Sequence, residues 1–412
     1  MAGSGAHATS LSQLLNWLDN NGLNGYDPYD ALNARRMLWL LRSGFARLSL
    51  TQFLKLWPFN WRPCLGIDKG HNPKAMGLFL KSYVKLYRLS NEVGYLDKAV
   101  ELKNWLRESS SPGYAGYCWG YNFPWQTFVP WRTYLLLKAN EPTIVNTAFI
   151  SGALLDLYEV THDGECLEMA DSSCNFILKD LNLSEKPEGT CFSYTPSDRN
   201  LCHNANLLGA VLLARVHSLT GRSDLLPYAR RAFDFTLFHQ REDGSWNYSI
   251  HPITGVERRQ IDFHQGFILD CILDFISLTN PSDHRYRDAL LQGARFYRAE
   301  QFLPDGRAKW RYPTLWPVDI HNQAQGIITF SRLSEVAPEY LDVARVVAQW
   351  TVQHMQHASG YFYYQKWPFF TNKIPYIRWG QAWMMLALTT LLETLDGVDR
   401  RERKGHAGGA LQ

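Results

Sequence analysis

The chain has 412 residues, 46% hydrophobic and 20% charged, enough to bury a large core. Its 42 basic and 39 acidic residues leave a formal charge of +3, and no run of Lys and Arg follows the chain, which argues against a nucleic-acid partner. No window reaches the roughly 18 uninterrupted apolar residues of a membrane span, and the opening MAGSGAHATS has no basic segment ahead of an apolar stretch, so the protein is expected to be soluble and cytoplasmic. Seven cysteines without a CxxC pair read as reduced thiols rather than a disulfide framework.

In chain order, an N-terminal unit made of LSQLLNWL and YDALNARRMLWLLRSGFARLS supplies the first helices. A recurring unit follows: a polar start, an apolar helix, a short turn and a second, amphipathic helix. It occupies residues 71–106, 146–178, 204–240, 264–302 and 322–356, and a half unit starts at Arg378. Successive starts lie about sixty residues apart, a supersecondary period. The first helix of each unit is the more apolar (AFISGALLDLYEV, FILDCILDFISL) and is expected inside, with the amphipathic second helix outside. Pairing the last half unit with the first helix predicts an all-α (α/α)6 toroid of six helical hairpins spanning 1–397. The charged, then Gly- and Ala-rich stretch 398–412 is expected to be a disordered tail.

Between units lie loops with a Gly, then aromatics, then often a Pro: SPGYAGYCWGYNFPWQ, EGTCFSYTPSD, EDGSWNYSIHP, PDGRAKWRYPTLWP and SGYFYYQKWPFF. Such segments suit short β-hairpins. Each feeds an inner helix, so loops and inner-helix N-termini are expected to meet at one end of the ring. The polar residues there are His71, Asn72, Asn146, Asn204, Asn206, Asp262, His264, Asp319, His321, Asn322, Arg378 and Gln381. Asn and Asp are ordinary caps. His264, His321 and Arg378 are poor ones, and Arg at a helix start opposes the dipole. Together they predict a polar cavity whose helix ends and Arg378 favour an acidic ligand. Trp119, Tyr121, Trp125, Trp246, Trp310, Trp316, Tyr361 and Tyr363 offer flat faces to sugar rings.

This combination of Gly-rich turn, aromatic hairpin and six helical pairs resembles the six-hairpin (α/α)-toroid enzymes: glycoside hydrolases, unsaturated glucuronyl hydrolases, uronate polysaccharide lyases and sugar epimerases. The stretch AKWRYPTLWPVDIHNQAQGI, residues 308–327, is similar to the Trp, Tyr and His-Asn-Gln segment of the C-terminal domain of glucuronyl C5-epimerases. QREDGSW at 240–246 is similar to the Gln-Trp repeat of terpene cyclases, but no DxDD motif accompanies it, and it reads as a structural turn.

The resemblance implies an oligo- or polysaccharide substrate, and two chemistries fit. In proton abstraction at C5 of a uronate, by an epimerase or lyase, His264 or His321 is the base and Tyr361 or Tyr363 the acid. Arg378 with Asn146 or Asn204 clamps the carboxylate, and no metal or cofactor is needed. In inverting hydrolysis, Asp262 and Asp319 flank the glycosidic bond. Cys118, Cys202 and His203 resemble the zinc ligands of lanthionine cyclases, without that family's flanking glycines. A non-catalytic glycan-binding protein of a polysaccharide biosynthesis system is the remaining alternative.

Overall fold

The computed structural model describes residues 2–128 and 134–409. The chain opens with α1 (Ala2–Asn21), then α2 (Gly44–Leu56) and the one-turn α3 (Arg62–Leu65). Five hairpins follow: α4 (Pro73–Ser90) with α5 (Val93–Glu108), α6 (Ile144–Thr161) with α7 (Gly164–Lys179), α8 (His203–Thr220) with α9 (Leu225–Phe238), α10 (His264–Thr279) with α11 (Arg285–Phe296), and α12 (Ile320–Leu333) with α13 (Glu339–Met355). The last helix, α14 (Trp383–Gly409), is entered through a π-helical turn, Ile377–Ala382. Helices α4, α6, α8, α10, α12 and α14 touch in cyclic order and α14 packs back on α4, so the inner ring closes; α1 packs on α14 as the sixth outer helix. This is an (α/α)6 toroid.

One expectation is corrected. The stretch from Tyr29 is not a ring helix: it forms 3-10 turns and α2, packed around a small core of Ala31, Ala34, Leu50, Leu54 and Ile67 over one end of the ring. Helix α14 continues to Gly409, into the segment expected to be disordered, and residues 410–412 lie outside the described residues.

The division into inner and outer helices follows from the pattern of apolar residues. Helix α6 is buried on nearly every side, because it has neighbours all round. Helix α11 buries only Tyr286, Ala289, Leu290, Gly293, Ala294 and Phe296, one stripe at helical spacing. Inner helices α4, α6, α8 and α10 end on left-handed residues, Asn91, His162, Gly221 and Asn280, which turn the chain back into its outer partner.

A latch repeats in every connecting loop. A Cβ on Gly116, Gly189, Gly244, Gly306 or Gly360 would lie 1.8–2.7 Å from a backbone oxygen of the next outer helix, on Ser172, Arg231, Gln292, Val346 and Gln13 respectively. The last of these is on α1, which fixes α1 as the sixth outer helix. Two or three residues on, the loop backbone N–H donates to a side chain of the following inner helix. Trp119 donates to Thr147, Phe192 to Asn206, Trp246 to Gln265, Ala308 to Gln323 and Phe362 to Gln381. The 240–246 turn is one copy, closed by Gly244 at φ +87° and by Gln240 donating to the carbonyl of Gly244.

Candidate active site

The loops and inner-helix N-termini enclose a cavity of about 310 Å³. Of the residues singled out in sequence, ten line it: Tyr121, Trp125, Asn204, Asp262, His264, Trp310, Asp319, His321, Asn322 and Arg378.

The others lie elsewhere, for physical reasons. Trp119 and Trp246 are fully buried wedges whose indole N–H groups donate to the carbonyls of Leu106 and Thr236, and Gln381 spends its amide on both backbone groups of Phe362. All three belong to the latch. Asn72 caps α4 by accepting from Ala75 N and donates to Asn122, while His71 is exposed beside Trp105 of α5. Tyr361 packs on Trp17 of α1 and on His357, with Tyr363 beside it, so neither loop tyrosine reaches the cavity. Trp316 sits by Arg307 outside it. Asn146 is buried in α6 with neither side-chain polar atom partnered, and Thr143, not Asn146, caps that helix. Among the described residues no group of three or more His, Cys, Asp or Glu could hold a metal ion, so Cys118, Cys202 and His203 do not make a zinc site; Cys202 instead donates its thiol to Asn204 and His203 stacks on Phe235.

Two histidines dominate the cavity. At the start of α10, Nδ1 of His264 lies 2.5 Å from Oδ1 of Asp262, which also accepts from His264 N, while Gln260 donates to Oδ2. Burial alone would raise the Asp262 carboxyl, but the imidazole and these hydrogen bonds hold it below its usual range. An ionised Asp262 selects the tautomer with the proton on Nδ1 and leaves the Nε2 lone pair of His264 for the cavity. At the start of α12, His321 is sandwiched between Phe263, 4.1 Å away, and Trp383, 4.6 Å away, and neither ring nitrogen has a hydrogen-bond partner. Burial, with Lys74, Arg378 and His264 adding to it, depresses its pKa well below the ordinary value and keeps it neutral. The Phe263 ring is also 4.1 Å from His264, so one phenyl spaces the two imidazoles.

Asp319 caps α12 and accepts three hydrogen bonds: Trp379 and His321 N donate to Oδ1 and Gln365 donates to Oδ2. Burial raises its pKa despite these donors. Through these bonds it fixes Trp379, the α12 N-terminus and the Gln365 strand. Asn322 is likewise committed, accepting from Phe263 N and donating to the carbonyl of Trp310.

Arg378 makes a bidentate pair with Asp27, at 2.6 and 2.8 Å, and stacks over Tyr121 at 4.8 Å. Asp27 was not singled out in sequence, and neither was Lys74. Lys74 is 3% exposed and makes no ion pair within 4 Å among the described residues, and its ammonium lies 4.5 Å from the Phe149 ring and 5.3 Å from that of Trp383. Burial, then Arg378, pushes its pKa well down against the pull of Asp27. Lysine in the first turn of α4 opposes the helix dipole, the same signal that marked Arg378. Lys55, Arg258, Arg311, Tyr29, Tyr194 and Tyr248 complete the polar wall. Tyr194 and Tyr248 come from the recognised aromatic loops and Tyr29 from the N-terminal stretch; which of them turn inward was not encoded in the sequence pattern.

No protein-family model and no curated protein matches the sequence. Solved structures do match the fold. Cellobiose 2-epimerase from Bacillus thermoamylovorans aligns with a TM-score of 0.63 at 14% identity, covering 93% of this chain and 99% of that one. An unsaturated glucuronyl hydrolase specific for heparin aligns at 0.61 and 13% identity, over 96% and 98% of the two chains. A GH76 alpha-mannanase from Bacteroides thetaiotaomicron aligns at 0.59 and 13% identity, over 78% and 87%. What is shared at these identities is the (α/α)6 toroid.

Proposed function

We propose that this protein is a carbohydrate-active enzyme that moves a proton at the carbon next to the carboxylate of a uronic-acid residue, as an epimerase or lyase does. The observation that carries the reading is the pair His264 and His321 in one cavity, the first oriented by Asp262 and the second buried with both ring nitrogens unpartnered. His264, with Nε2 free, removes the proton. His321, neutral, lends an N–H to the developing enediolate or returns a proton on the opposite face. Proton transfer from a carbon acid requires the negative charge to be spread onto oxygen, and here Lys74 and Arg378 sit beside His321. Even with Arg378 paired to Asp27, the wall keeps a cationic excess, Lys55, Arg258 and Arg311 against Asp262 and Asp319, that suits an acidic sugar. Trp125, Trp310 and Tyr121 supply ring faces. The tyrosine available as an acid is Tyr121, Tyr194 or Tyr248 rather than Tyr361 or Tyr363. The inverting pair Asp262 and Asp319 is the weaker reading, because Asp262 is taken up in orienting His264.

The test is incubation with uronate-containing oligosaccharides in deuterated water, read by mass spectrometry and by absorbance of an unsaturated product. Deuterium uptake without chain shortening supports epimerisation, and unsaturated product supports a lyase. Chain shortening with neither sinks the proposal in favour of hydrolysis.

A further inference from the structure

Outside the cavity, the segment over its mouth carries an apolar surface that a water-facing protein has no use for. Between Asp30 and Asp68 the chain has no acidic residue and six basic ones. From it Phe45, Trp39, Phe59 and Leu38 stand 72%, 68%, 68% and 61% exposed. Helix α2 turns Leu50 and Leu54 into the small core below, so its outward apolar side chains are surplus to folding. A second tip joins this surface: Asn372 donates to the carbonyl of Trp57, and the hairpin containing Asn372 ends on Phe369, 98% exposed. That hairpin lies in a stretch, from Val343 to Leu392, which also has no acidic residue.

We propose that this surface docks the protein, as a peripheral protein lying in the interface, on an anionic lipid membrane with the cavity mouth beside the bilayer. Aromatic and aliphatic side chains set among arginines and lysines, with carboxylates excluded, are the composition of interfacial docking segments. The charge pattern is what selects a bilayer over a protein partner. Arg62 is buried against Asp30 and Arg35 is paired with Asp68, but Arg36, Arg42 and Lys373 are exposed beside the apolar tips. No described helix is long and apolar enough to cross a membrane, so attachment is by surface contact. Leu48, Gln52 and Lys55 of α2 line the cavity, so a bilayer under α2 would present membrane-attached glycan ends to the site. The docking itself does not depend on which reaction the cavity performs.

The experiment is flotation of the full chain with phosphatidylcholine vesicles, with and without phosphatidylglycerol, at low and high salt. Wild type is expected to float with the anionic vesicles at least tenfold more than with neutral ones, and less at high salt. A Trp39→Ser, Phe45→Ser, Phe59→Ser variant, changed only at exposed positions, is expected to lose flotation at least tenfold. Hydrogen exchange of wild type on anionic vesicles keeps the test independent of the variant's folding, with slowed exchange expected in 38–59. Absence of flotation on both vesicle types overturns the proposal. So does a wild-type dimer in sedimentation that the triple variant abolishes, since a second copy would then be the occupant.

Discussion

The carboxylate of Asp27 grips the guanidinium of Arg378 with both oxygens, at 2.6 and 2.8 Å, across 351 residues of sequence. Both side chains are almost completely buried. The pair ties the segment over the cavity mouth to the last inner helix and cancels most of the charge that Arg378 would bring to a ligand. Lys74 is then the amine beside His321 left to meet an acidic ligand, and burial disfavours its charge until such a ligand enters.

Asp27→Asn leaves that guanidinium buried and without its counter-charge. Removing one partner of a buried pair costs about 3–5 kcal/mol, and urea unfolding is expected to show a loss in that range. A loss below about 1 kcal/mol would mean that Arg378 relaxes into cavity water and that the pair does not hold the segment in place.

Lys74→Met separates binding from folding. Because the ammonium has no ion pair and is desolvated among aromatic rings, its replacement by an apolar chain of similar length is expected to leave stability unchanged or to raise it by about 1 kcal/mol. Affinity for an acidic sugar should fall about tenfold or more in calorimetric titration. A stable variant with unchanged affinity would remove Lys74 from the ligand site.

Asp262→Asn tests the orientation of His264. The amide preserves shape but no longer favours the Nδ1–H tautomer, so turnover in the deuterium-exchange assay is expected to fall about a hundredfold or more, with binding retained. Equal turnover would show that His264 is not the base.

His203 is fully buried and its pKa is depressed to about 3, from an ordinary 6.5, by burial and by the nearby His239. The folded state therefore resists a proton that the unfolded chain accepts, so this contribution is intact above about pH 6.5 and is lost as pH falls toward 3. His203→Leu removes it. The stability advantage of wild type over the variant is expected to shrink by about 1.4 kcal/mol for each pH unit between 6 and 4. A gap independent of pH would contradict this assignment.

Gly360→Ala probes the latch on α1. Gly360 has φ +107° and its Cβ would lie 2.1 Å from the carbonyl oxygen of Gln13. A loss of about 3 kcal/mol or more is expected, together with faster proteolysis of α1 than of the ring. Equal proteolysis would mean that α1 is held mainly by its contacts with α14.

Much of the toroid was legible because its signal is periodic. Apolar stripes, turns and glycine-aromatic loops recur at about sixty residues, and each copy reinforces the others. The N-terminal segment has no copy to compare with, and its helix-like stretch from Tyr29 folded instead into 3-10 turns and α2 over the cavity. The polar inner-helix starts were visible as a class. Within that class the sequence could not say which residue caps, which latches and which faces ligand, because one residue along a helix rotates a side chain by about 100°.

By itself, then, the sequence determined the ring, the end of it that carries polar groups, and His264, His321 and Arg378 as residues too costly to be mere caps. Only the tertiary structure decided the rest. It sent Trp119, Trp246 and Gln381 to the latch, gave Arg378 its partner Asp27, turned four tyrosines inward and left Tyr361 and Tyr363 outside, and isolated Lys74 among aromatic rings. The reason is that helical and loop patterns are local, whereas partnership and desolvation depend on what ring closure brings within a few ångströms.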